Sequence, residues 1–430
     1  MPEHWESKRL KYVASINDDA LHEGTPPDFE IAYVDISSVE ASAGIVAVEE
    51  MVFEDAPSRA RRVVRDGDTI ISTVRTYLRA IAPIRAPSNN LVVSTGFAVV
   101  RPRSVDPGFL SYALRESRFV ESIVARSVGV SYPAVNASDV GTISIPLPSP
   151  GEQRSIAVFL DRETAKLDTL VQKKRALVEL LREKCRALIS QTVTRGLPPD
   201  AARAAALDPH PKLRPSGVEW LGDVPGHWDL VPLRYAFRNL DHRRIPVAGE
   251  DRATMDKVYP YYGASGIIDH VEDYLFDETL ILVAEDGANL LSRSTPLAFL
   301  ATGKYWVNNH AHILRPVAGD IRYWVAVLQT HDYTPLVSGA AQPKLTAERL
   351  GGIRLPKPPP EEQVAIADFL DRETTKLDQM AAKVEEAIER LQEYRAALIT
   401  AAVTGKIDVR GHAAAEAAAA LAEFAAGDRA

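Results

Sequence analysis

Cysteine is almost absent from this chain of 430 residues, in which Cys185 is the only one. A single thiol excludes an internal disulfide framework and a thiolate-rich zinc site, and it fits the reducing cytoplasm. The chain also lacks a run of 18 apolar residues, so no membrane span is expected. Its first residues show no basic segment followed by an apolar one, so no secretory signal is predicted.

Catalytic signatures are missing as well. The sequence contains no phosphate-binding loop, no glycine-rich dinucleotide fingerprint and no Gly-x-Ser-x-Gly elbow. The Asn/Asp-Pro-Pro-aromatic motif of amino-methyltransferases is absent too, because the Pro-Pro pairs at 26–27 and 198–199 lie in other contexts. The composition, 46% hydrophobic and 25% charged, is that of a globular protein. A long folded chain without an active-site signature indicates an adaptor without a cofactor of its own rather than an enzyme.

The strongest signal in the sequence is a long internal repeat. Residues 152–168 and 362–378 are identical at 13 of 17 positions, at an offset of 210. The openings of the two copies match too, because His4-Trp5 corresponds to His227-Trp228 at an offset of 223. The regions between opening and repeated segment differ in length and barely resemble each other. The pattern indicates one shared frame that carries two different readers.

Each copy ends in a long predicted helix. Residues 152–194 and 361–404 contain no Gly or Pro, prolines precede both stretches, and Gly196 and Gly405 follow them as C-terminal stops. Seven-residue spacing predicts a coiled-coil seam. The leucines expected to pair are Leu160, Leu167, Leu181, Leu188, Leu370, Leu377, Leu391 and Leu398. A second stripe is predicted at Leu170, Leu177, Met380, Ala387 and Tyr394.

The two predicted helices carry complementary charges. Residues 152–194 hold nine Lys/Arg and six Asp/Glu, whereas residues 361–404 hold five and ten. Pairing of the two helices with each other, antiparallel and with a reader at each end, is therefore favoured over self-pairing. The alternative is that each helix packs only on its own domain, but a helix this long needs a partner along its length.

Both variable regions are predicted to mix α and β structure. Strands are expected at 31–36, 69–74, 91–93, 97–100, 279–284 and 312–314. The fold class is therefore α+β: two mixed α/β recognition domains separated by two long helices that pair as an antiparallel coiled coil, with a pseudo-twofold internal repeat. The expected division is domain 1 at 1–150, a central shared helix at 151–196, a linker with the second opening at 197–226, domain 2 at 227–358, a C-terminal shared helix at 359–410 and an Ala-rich tail at 411–430.

Candidate contact residues in domain 1 come from an arginine-rich stretch. Although the chain has a net charge of −8, residues 57–103 hold nine Arg against two Asp. Arginine suits bidentate contacts to guanine edges and to phosphate, so the stretch predicts a DNA-facing surface, with 75–79 as its sharpest loop. The predicted contacts are Arg59, Arg61, Arg62, Arg75, Tyr77, Arg79 and, nearer the helix, Tyr132. A solvated charged face is the competing interpretation for any single arginine.

Candidates in domain 2 are more scattered. The segment 261–266, Tyr-Tyr-Gly-Ala-Ser-Gly, predicts a tight loop, and 306–312 offers amide and imidazole groups that can read base edges. The predicted contacts are Ser265, Asn308, Asn309, His310, Gln342 and Lys344. The spacing of His310 and His312 places both on one face of a strand. No Cys or His completes a metal site and the acidic neighbours are not at ligand spacing, so no metal is predicted.

The sequence resembles the specificity subunits of type I restriction–modification systems over essentially residues 1–410. The resemblance is carried by the proline-preceded helices with Glu-Gln at 152–153 and 362–363, and by the opening at 217–228. It is also carried by the segment 261–266 followed by Glu-Asp-Gly-Ala at 285–288. The start at His4-Trp5 lacks the segment that precedes the second opening, and the Ala-rich tail is an addition.

The resemblance implies a non-catalytic subunit with two target-recognition domains, each of which reads one half of a bipartite site in double-stranded DNA. It implies a complex with two adenine-N6 methyltransferase subunits and often two restriction/translocase subunits. S-adenosylmethionine, ATP and Mg would be bound by those partners, and the helices would set the spacer length and dock the methyltransferases. Two other interpretations stay open: a two-headed coiled-coil adaptor for protein or RNA, and a fused enzyme that has lost its catalytic domain.

Overall fold

The computed structural model describes residues 1–41, 43–339 and 342–409. The predicted Ala-rich tail lies outside these residues. The chain divides into two compact units: unit 1 comprises Met1–Arg175 together with the chain from Glu385 onward, and unit 2 comprises Ala176–Val384. Within the described residues, no helix is both long and apolar enough to cross a bilayer.

Unit 1 is built from two four-stranded sheets and a helical layer. Its strands are β1 (Glu6–Arg9), β2 (Ala14–Ile16), β3 (Glu30–Val34), β4 (Val39–Glu40), β5 (Gly44–Ile45), β6 (Glu49–Val52), β7 (Ala60–Val63), β8 (Thr69–Ser72), β9 (Ile81–Pro83), β10 (Leu91–Ser94), β11 (Phe97–Pro102) and β12 (Ser144–Leu147). Its helices are α1 (Pro107–Ala113), α2 (Ser117–Arg126), α3 (Ala137–Val140) and the first part of α4 (Pro150–Arg195). The sheets have the strand orders β2-β11-β8-β9 and β6-β3-β10-β7, and β1 pairs with β12.

Unit 2 contains the second recognition domain and the rest of α4. Its strands are β13 (Leu213–Pro215), β14 (Asp223–Pro225), β15 (Asp229–Pro232), β16 (Phe237–Asn239), β17 (Tyr259–Gly263), β18 (Gly266–Val271), β19 (Phe276–Asp277), β20 (Leu280–Ala284), β21 (Ala298–Ala301), β22 (Lys304–Val307), β23 (Ala311–Pro316) and β24 (Arg354–Lys357). Its helices are α5 (Pro199–Ala204), α6 (Leu233–Ala236), α7 (Gly249–Thr254), α8 (Asn289–Ser292), α9 (Ile321–Thr330), α10 (Ala347–Gly352) and the first part of α11 (Pro360–Val403).

The two recognition domains share one topology despite their unlike sequences. The sheets of unit 2 have the orders β16-β23-β20-β21 and β18-β17-β22-β19, and β15 pairs with β24, as β1 does with β12. Each domain also has one parallel pair at the same place, β3 with β10 and β17 with β22. The α+β fold with an internal repeat is therefore confirmed, and the repeat extends through the regions where the sequences barely match.

The central sheet of each domain is apolar on both faces because it is covered on both sides. In β8, Ile71 packs towards the helical layer, whereas the preceding Ile70 packs towards the second sheet. In β20, Ile281 and Leu282 divide between two cores in the same way. Successive side chains of a strand point to opposite faces, so a strand between two layers has a continuous apolar run. The predicted strands at 69–74 and 279–284 are such runs.

The two long helices pack against each other in antiparallel fashion within each unit. In unit 1, Leu160 near the start of α4 shares a buried core with Val403 at the end of α11. The Asp168 carboxylate there accepts two hydrogen bonds from Arg395, of 2.9 and 3.3 Å. In unit 2, Val193 near the end of α4 shares a core with Leu370 near the start of α11. The predicted antiparallel coiled coil is confirmed.

The second stripe of the seam differs from the prediction. Leu170, Leu177, Met380 and Tyr394 are 41–58% exposed, and Ala387 is half-buried. The buried or half-buried positions lie four residues after the leucines rather than three: Thr164, Val171, Val178 and Cys185 in α4, and Thr374, Ala381, Ile388, Arg395 and Ala402 in α11. The side chains of this layer differ in size and polarity, unlike the leucines of the other one. Of the predicted pairing residues, Leu160, Leu370 and Leu377 are buried and Leu167, Leu181, Leu188, Leu391 and Leu398 are half-buried.

The repeated openings contact the repeated helix starts. In unit 1, His4 Nε2 lies 2.9 Å from Glu152 Oε1, and the Trp5 indole N–H donates to the same oxygen over 3.3 Å. In unit 2, His227 Nε2 lies 2.8 Å from Glu362 Oε2. The recurrence of His with a distant Glu therefore reflects a direct contact between the opening of each copy and the start of its long helix.

A buried glutamine joins each recognition domain to its helix. Gln153 donates to the Pro148 carbonyl over 2.8 Å and accepts from the Asp106 N–H over 2.7 Å. Gln363 makes the corresponding two bonds, to a proline carbonyl over 2.9 Å and from the Asp320 N–H over 3.1 Å. The carboxylates of Asp106 and Asp320 in turn cap α1 and α9. One amide side chain thus satisfies two backbone groups and fixes a helix cap.

The revised seam predicts which truncations destabilise the chain. Val171 is buried, whereas its neighbour Leu170 is 41% exposed. We expect Val171→Ala to lower the free energy of unfolding by about 1–3 kcal/mol through lost burial and a cavity. The control Leu170→Ala removes more apolar atoms but should cost less than about 0.5 kcal/mol. Urea unfolding of both variants measures the difference. A larger loss of stability at Leu170 would support the stripe that was predicted from the sequence.

The Glu152 contact predicts a pH-dependent contribution to stability. Hydrogen bonds from His4, and then from Ser149 and Trp5, lower the pKa of Glu152 from 4.5 to about 2. A carboxyl whose pKa is lowered by folding stabilises the fold above its unfolded pKa, and this stabilisation is lost as the pH falls towards 2. We expect Glu152→Gln to lower the free energy of unfolding by about 1–3 kcal/mol at pH 7 and by less at pH 3. Urea titrations at both pH values test this, with the exposed Glu121→Gln as control, and an equal loss at both pH values would contradict it.

Candidate nucleic-acid interface

The segment 75–79, the strongest loop candidate predicted in domain 1, forms a turn at the end of β8. Arg75 and Arg79 flank a short 3-10 turn, and both have left-handed backbone conformations, with φ of 49° and 53°. Thr76 is buried between them and its hydroxyl lies 2.7 Å from that of Ser127. Tyr77 remains 54% exposed. Left-handed arginines are strained, and such strain is retained where a turn displays side chains for function.

A second loop of unit 1 meets this turn. Ala134 forms β-bridges to both Val74 and Val128, which closes residues 128–134 into a narrow loop beside the turn. The Arg75 guanidinium lies 4.8 Å from the centre of the Tyr132 ring. The structure therefore brings together two residues that the sequence singled out 57 positions apart. We define the unit 1 face as Arg75, Tyr77, Leu78, Arg79, Val130 and Tyr132, all of which are exposed.

Most of the other arginines of the stretch 57–103 have internal partners. Arg59 donates to Asp35 over 2.9 Å and to the Tyr33 hydroxyl over 3.2 Å. Arg61 lies 4.5 Å over the Phe53 ring, and the Nε of Arg62 is buried. Four more of these arginines form ion pairs with carboxylates: Arg65 with Asp19, Arg85 with Asp161, Arg101 with Asp68 and Arg103 with Asp18. Within the described part of the chain, the arginines of this stretch without an ion pair are Arg61, Arg62, Arg75 and Arg79. Arg61 and Arg62 are half-buried, so Arg75 and Arg79 carry the exposed charge available to a ligand.

Unit 2 builds the same pair of loops from different residues. Lys344 forms bridges to Asp286 and Ser338, as Ala134 does to Val74 and Val128. The segment 342–344 therefore takes the place of 132–134, and Gln342 is exposed where Tyr132 is. Arg293 ends α8 with φ 49°, in the manner of Arg79.

Polar and charged groups cover this second surface. Asp286 lies 2.8–2.9 Å from His310 Nδ1, and Lys344 Nζ lies 3.2 Å from Glu285 Oε1. We define the unit 2 face as Asp286, Asn309, His310, Gln342 and Lys344. Its exposed members are Asn309, Gln342 and Lys344, while Asp286 and His310 are half-buried.

Two further candidates of domain 2 lie at one edge of the second sheet. Ser265 is exposed in the two-residue turn between β17 and β18, as the predicted tight loop requires. Asn308 directly follows β22, which runs parallel to β17, so both residues sit at the same ends of neighbouring strands. Asn308 is 4% exposed, however, and its Oδ1 accepts from the His310 N–H over 2.8 Å. Its side chain therefore holds the turn that presents Asn309.

Comparison with known proteins gives the same two-part division. The family model for the type I restriction modification DNA specificity domain matches residues 2–180 and 239–390. The chain belongs to this family. The matched ranges cover both recognition domains and most of both long helices, so each half of the chain is a specificity domain.

Individual relatives of this chain are also named as specificity subunits. A chain of Haemophilus influenzae named as a type I restriction enzyme specificity subunit is 32% identical over 37% of this chain and 38% of its own length. The EcoDI specificity subunit of Escherichia coli is 22% identical over 43% of this chain and 40% of its own. The chain thus spans about two fifths of these relatives. A solved structure titled for complex assembly and conformational transition of the type I R-M system matches 94% of this chain and 98% of its own, with a TM-score of 0.64 at 24% identity, and shows the fold.

Behind the unit 2 face, the second specificity domain contains a buried ionic cluster that the sequence did not reveal. Ligand atoms of Asp241, Glu285 and His312 lie within 4.8 Å of one another. His312 Nδ1 is 2.6 Å from Asp241 and its Nε2 is 2.9 Å from the Leu345 carbonyl. Burial would raise the pKa of Asp241, but hydrogen bonds led by that from His312 lower it overall. The acidic neighbours of His312 come from strands and loops 27–71 positions away, so their spacing in sequence gave no signal.

Arg244 supplies the counter-charge of this cluster. Its guanidinium hydrogen-bonds Glu285 and the Ala311 carbonyl, the latter over 2.9 Å, and lies 3.7 Å from Asp241. The donor set resembles that of a divalent metal site, but the Arg244 guanidinium hydrogen-bonds Glu285 and lies beside Asp241 as their counter-charge. The cluster therefore acts as an internal ion pair that fixes the base of the unit 2 face.

Removal of Arg244 tests this assignment. We expect Arg244→Ala to lower the free energy of unfolding by about 3–5 kcal/mol, because the buried Glu285 loses its hydrogen-bonded guanidinium and Asp241 loses a nearby positive charge. Arg243→Ala, at the neighbouring and more exposed position, should cost about 1 kcal/mol or less. Thermal or urea unfolding measures both. If the cluster were a metal site, zinc or magnesium would stabilise the parent chain, and we expect no such effect.

Proposed function

We propose that the chain is the DNA-specificity subunit of a type I restriction–modification complex, a non-catalytic protein that reads a bipartite site with its two target-recognition domains. The observation that supports this most strongly is that the two domains share a duplicated frame but carry unlike faces. The two domains share topology, helix starts and loop bridges. The residues of the unit 1 face and the unit 2 face, by contrast, are of different types, as expected of two readers with different targets.

The unit 1 face suits duplex DNA in two ways. Arg75 and Arg79 can form bidentate bonds to guanine edges or pair with phosphates, since neither is committed to a carboxylate. Leu78 and Val130 offer apolar contact of the kind made with thymine methyl groups or with unstacked base steps. The Arg75–Tyr132 stack restrains the guanidinium before binding, which reduces the entropy lost on contact.

The unit 2 face offers a different set of hydrogen-bonding groups. The Asp286 carboxylate can accept from the cytosine amino group, and the amides of Asn309 and Gln342 can pair with adenine. Lys344 can contact phosphate but carries no sequence information of its own. We propose that these side chains, with Ser265 and His310, read the second half-site.

Partner subunits complete this function. We propose that two adenine-N6 methyltransferase subunits, and in a restricting complex two translocase/nuclease subunits, dock on this chain and bring S-adenosylmethionine, ATP and Mg. The chain itself has a net charge of −8, and most arginines of its basic stretch are internally paired. Much of the phosphate contact would therefore come from the partners, and the isolated chain should bind DNA with a shallow salt dependence.

A genome-wide map of N6-methyladenine tests the proposal. We expect deletion of the gene to abolish methylation at one bipartite motif, two short half-sites separated by a fixed gap. Complementation with Arg75→Ala should weaken methylation and relax one position of one half-site only, by about 1–3 kcal/mol of discrimination. Arg118→Ala, at an exposed arginine near the opposite end of α2 from the 128–134 loop, should restore the full motif. An unchanged map after deletion, with the methyltransferase expressed, would oppose the proposal and favour an adaptor for protein or RNA.

A further inference from the structure

A cleft in unit 1, between the recognition domain and the long helices, shares no lining residue with the unit 1 face. Its volume is about 460 Å³, and its apolar wall includes Ile81, Ile84 and Leu91. Among the described residues that line it, the charged ones are Arg85, Arg115, Arg395, Asp161 and Asp168. Arg85 pairs with Asp161 over 2.6 Å and Arg395 with Asp168 over 2.9 Å. One positive charge, that of Arg115, is left over.

Arg115 is held in place without a carboxylate partner in the described part of the chain. Its Nε donates to the Ser111 carbonyl over 3.0 Å, and its guanidinium lies 4.4 Å from the centre of the Tyr112 ring. The Tyr112 hydroxyl is itself fixed by Asp161 over 2.8 Å. The terminal nitrogens make one long contact, of 3.5 Å to the Ser111 hydroxyl, so most of their N–H groups remain for a ligand.

The surroundings of Arg115 disfavour its charge. Burial lowers the pKa of its guanidinium, and the neighbouring charges of Arg395 and Arg85 lower it further. A desolvated cation that lacks an anion is costly to the fold. Such a group in a cleft is a candidate binding site, because a bound anion removes the cost.

The internal repeat provides a comparison within the same chain. Counted from the helix caps Asp106 and Asp320, Arg115 corresponds to Gln329 of α9. At the offset of the repeated helices, Arg395 corresponds to Cys185, whereas Asp168 corresponds to Asp378. The shared frame thus keeps the carboxylate and does not need the arginines. Arg115 and Arg395 are additions of unit 1, which a purely structural role in the frame would not require.

We propose that this cleft is a phosphate-binding site centred on Arg115, with Arg85 and Arg395 at its sides. The forked guanidinium suits the oxygens of a phosphate group, and the surplus of one positive charge would balance the single negative charge of a phosphodiester. The phosphate belongs either to the backbone of duplex DNA or to a free phosphate ion. The site goes beyond the proposed function. Only the alternative in which the bound phosphate belongs to DNA rests on that function.

The internal repeat suggests the variants that test this site. Arg115→Gln installs the residue of the corresponding position in unit 2, and Arg115→Lys keeps the charge but loses the fork. Arg118→Gln, at an exposed position one turn away on α2, is the matched control. Thermal unfolding in chloride alone shows whether each full-length variant folds and how much the substitution itself changes stability.

Two measurements then distinguish the sources of phosphate. Inorganic phosphate, titrated against chloride at constant ionic strength, should raise the unfolding temperature of the parent chain by about 2–4 °C with saturation if the site takes the free ion. The rise should be absent in Arg115→Gln, reduced in Arg115→Lys and intact in Arg118→Gln. If the site takes a backbone phosphate, Arg115→Gln should reduce the slope of log affinity against log salt for duplex DNA by about 0.9.

Either result supports the site and identifies its ligand. The proposal is overturned if phosphate fails to stabilise the parent chain and the salt slopes of parent and Arg115→Gln agree. A parent chain that binds no DNA but shows the saturable phosphate effect would count against the proposed function alone. Loss of stability in chloride, with no phosphate dependence and an unchanged salt slope, would assign Arg115 to packing and would equally overturn the site.

Discussion

Gln153 and Gln363 each tie together parts of the chain that are far apart in sequence. Each amide bonds a carbonyl just before its own helix and the N–H of an aspartate more than 40 residues earlier, and that aspartate caps a helix of the recognition domain. Both glutamines are buried, at 3% and 1% exposed. Loss of either amide would leave two buried backbone groups without partners, at about 1–3 kcal/mol each. The orientation of each recognition domain on its helix depends on this one side chain.

This constraint explains which parts of the sequence are repeated. The His-Trp openings, the Glu-Gln pairs and the leucine stripe all serve the junction between domain and helix. The sheets are free to differ, because their topology requires only that strands such as β8 and β20 be apolar on both faces. Many sequences meet that requirement, which is why the shared fold of the two domains exceeds their sequence similarity.

The helices were predictable because their signals are local and periodic. A stretch without Gly or Pro and a leucine every seventh residue define the helix and one face of its seam. The second stripe was not predictable in the same way, since Leu170 and Tyr394 are more apolar than the Thr164 and Arg395 that occupy the seam. Only the position of the partner helix decides that choice.

The candidate interface was harder to predict because it depends on distant pairs. Arg75 and Tyr132 were both singled out, but their stacking required the bridges through Ala134. The basic stretch looked strongly charged, yet most of its carboxylate partners lie elsewhere in the chain, as Asp19 and Asp161 do. Asn308 offered an amide in the sequence, and only its buried bond to the His310 N–H shows that this amide holds a turn.

The division of the long helices between the units has a consequence for synthesis of the chain. Unit 2 is one continuous stretch, Ala176–Val384, whereas the core of unit 1 contains Ile399, Ala402 and Val403 from the last part of α11. At about 5–20 residues per second, a ribosome needs roughly 10–40 s to pass from the end of the first stretch of unit 1 to the start of its second. The recognition domain that is made first is therefore completed last. During that interval the apolar side of α4 around Ile156 and Leu160 lacks the part of its native cover that α11 supplies, and it is open to incorrect pairing.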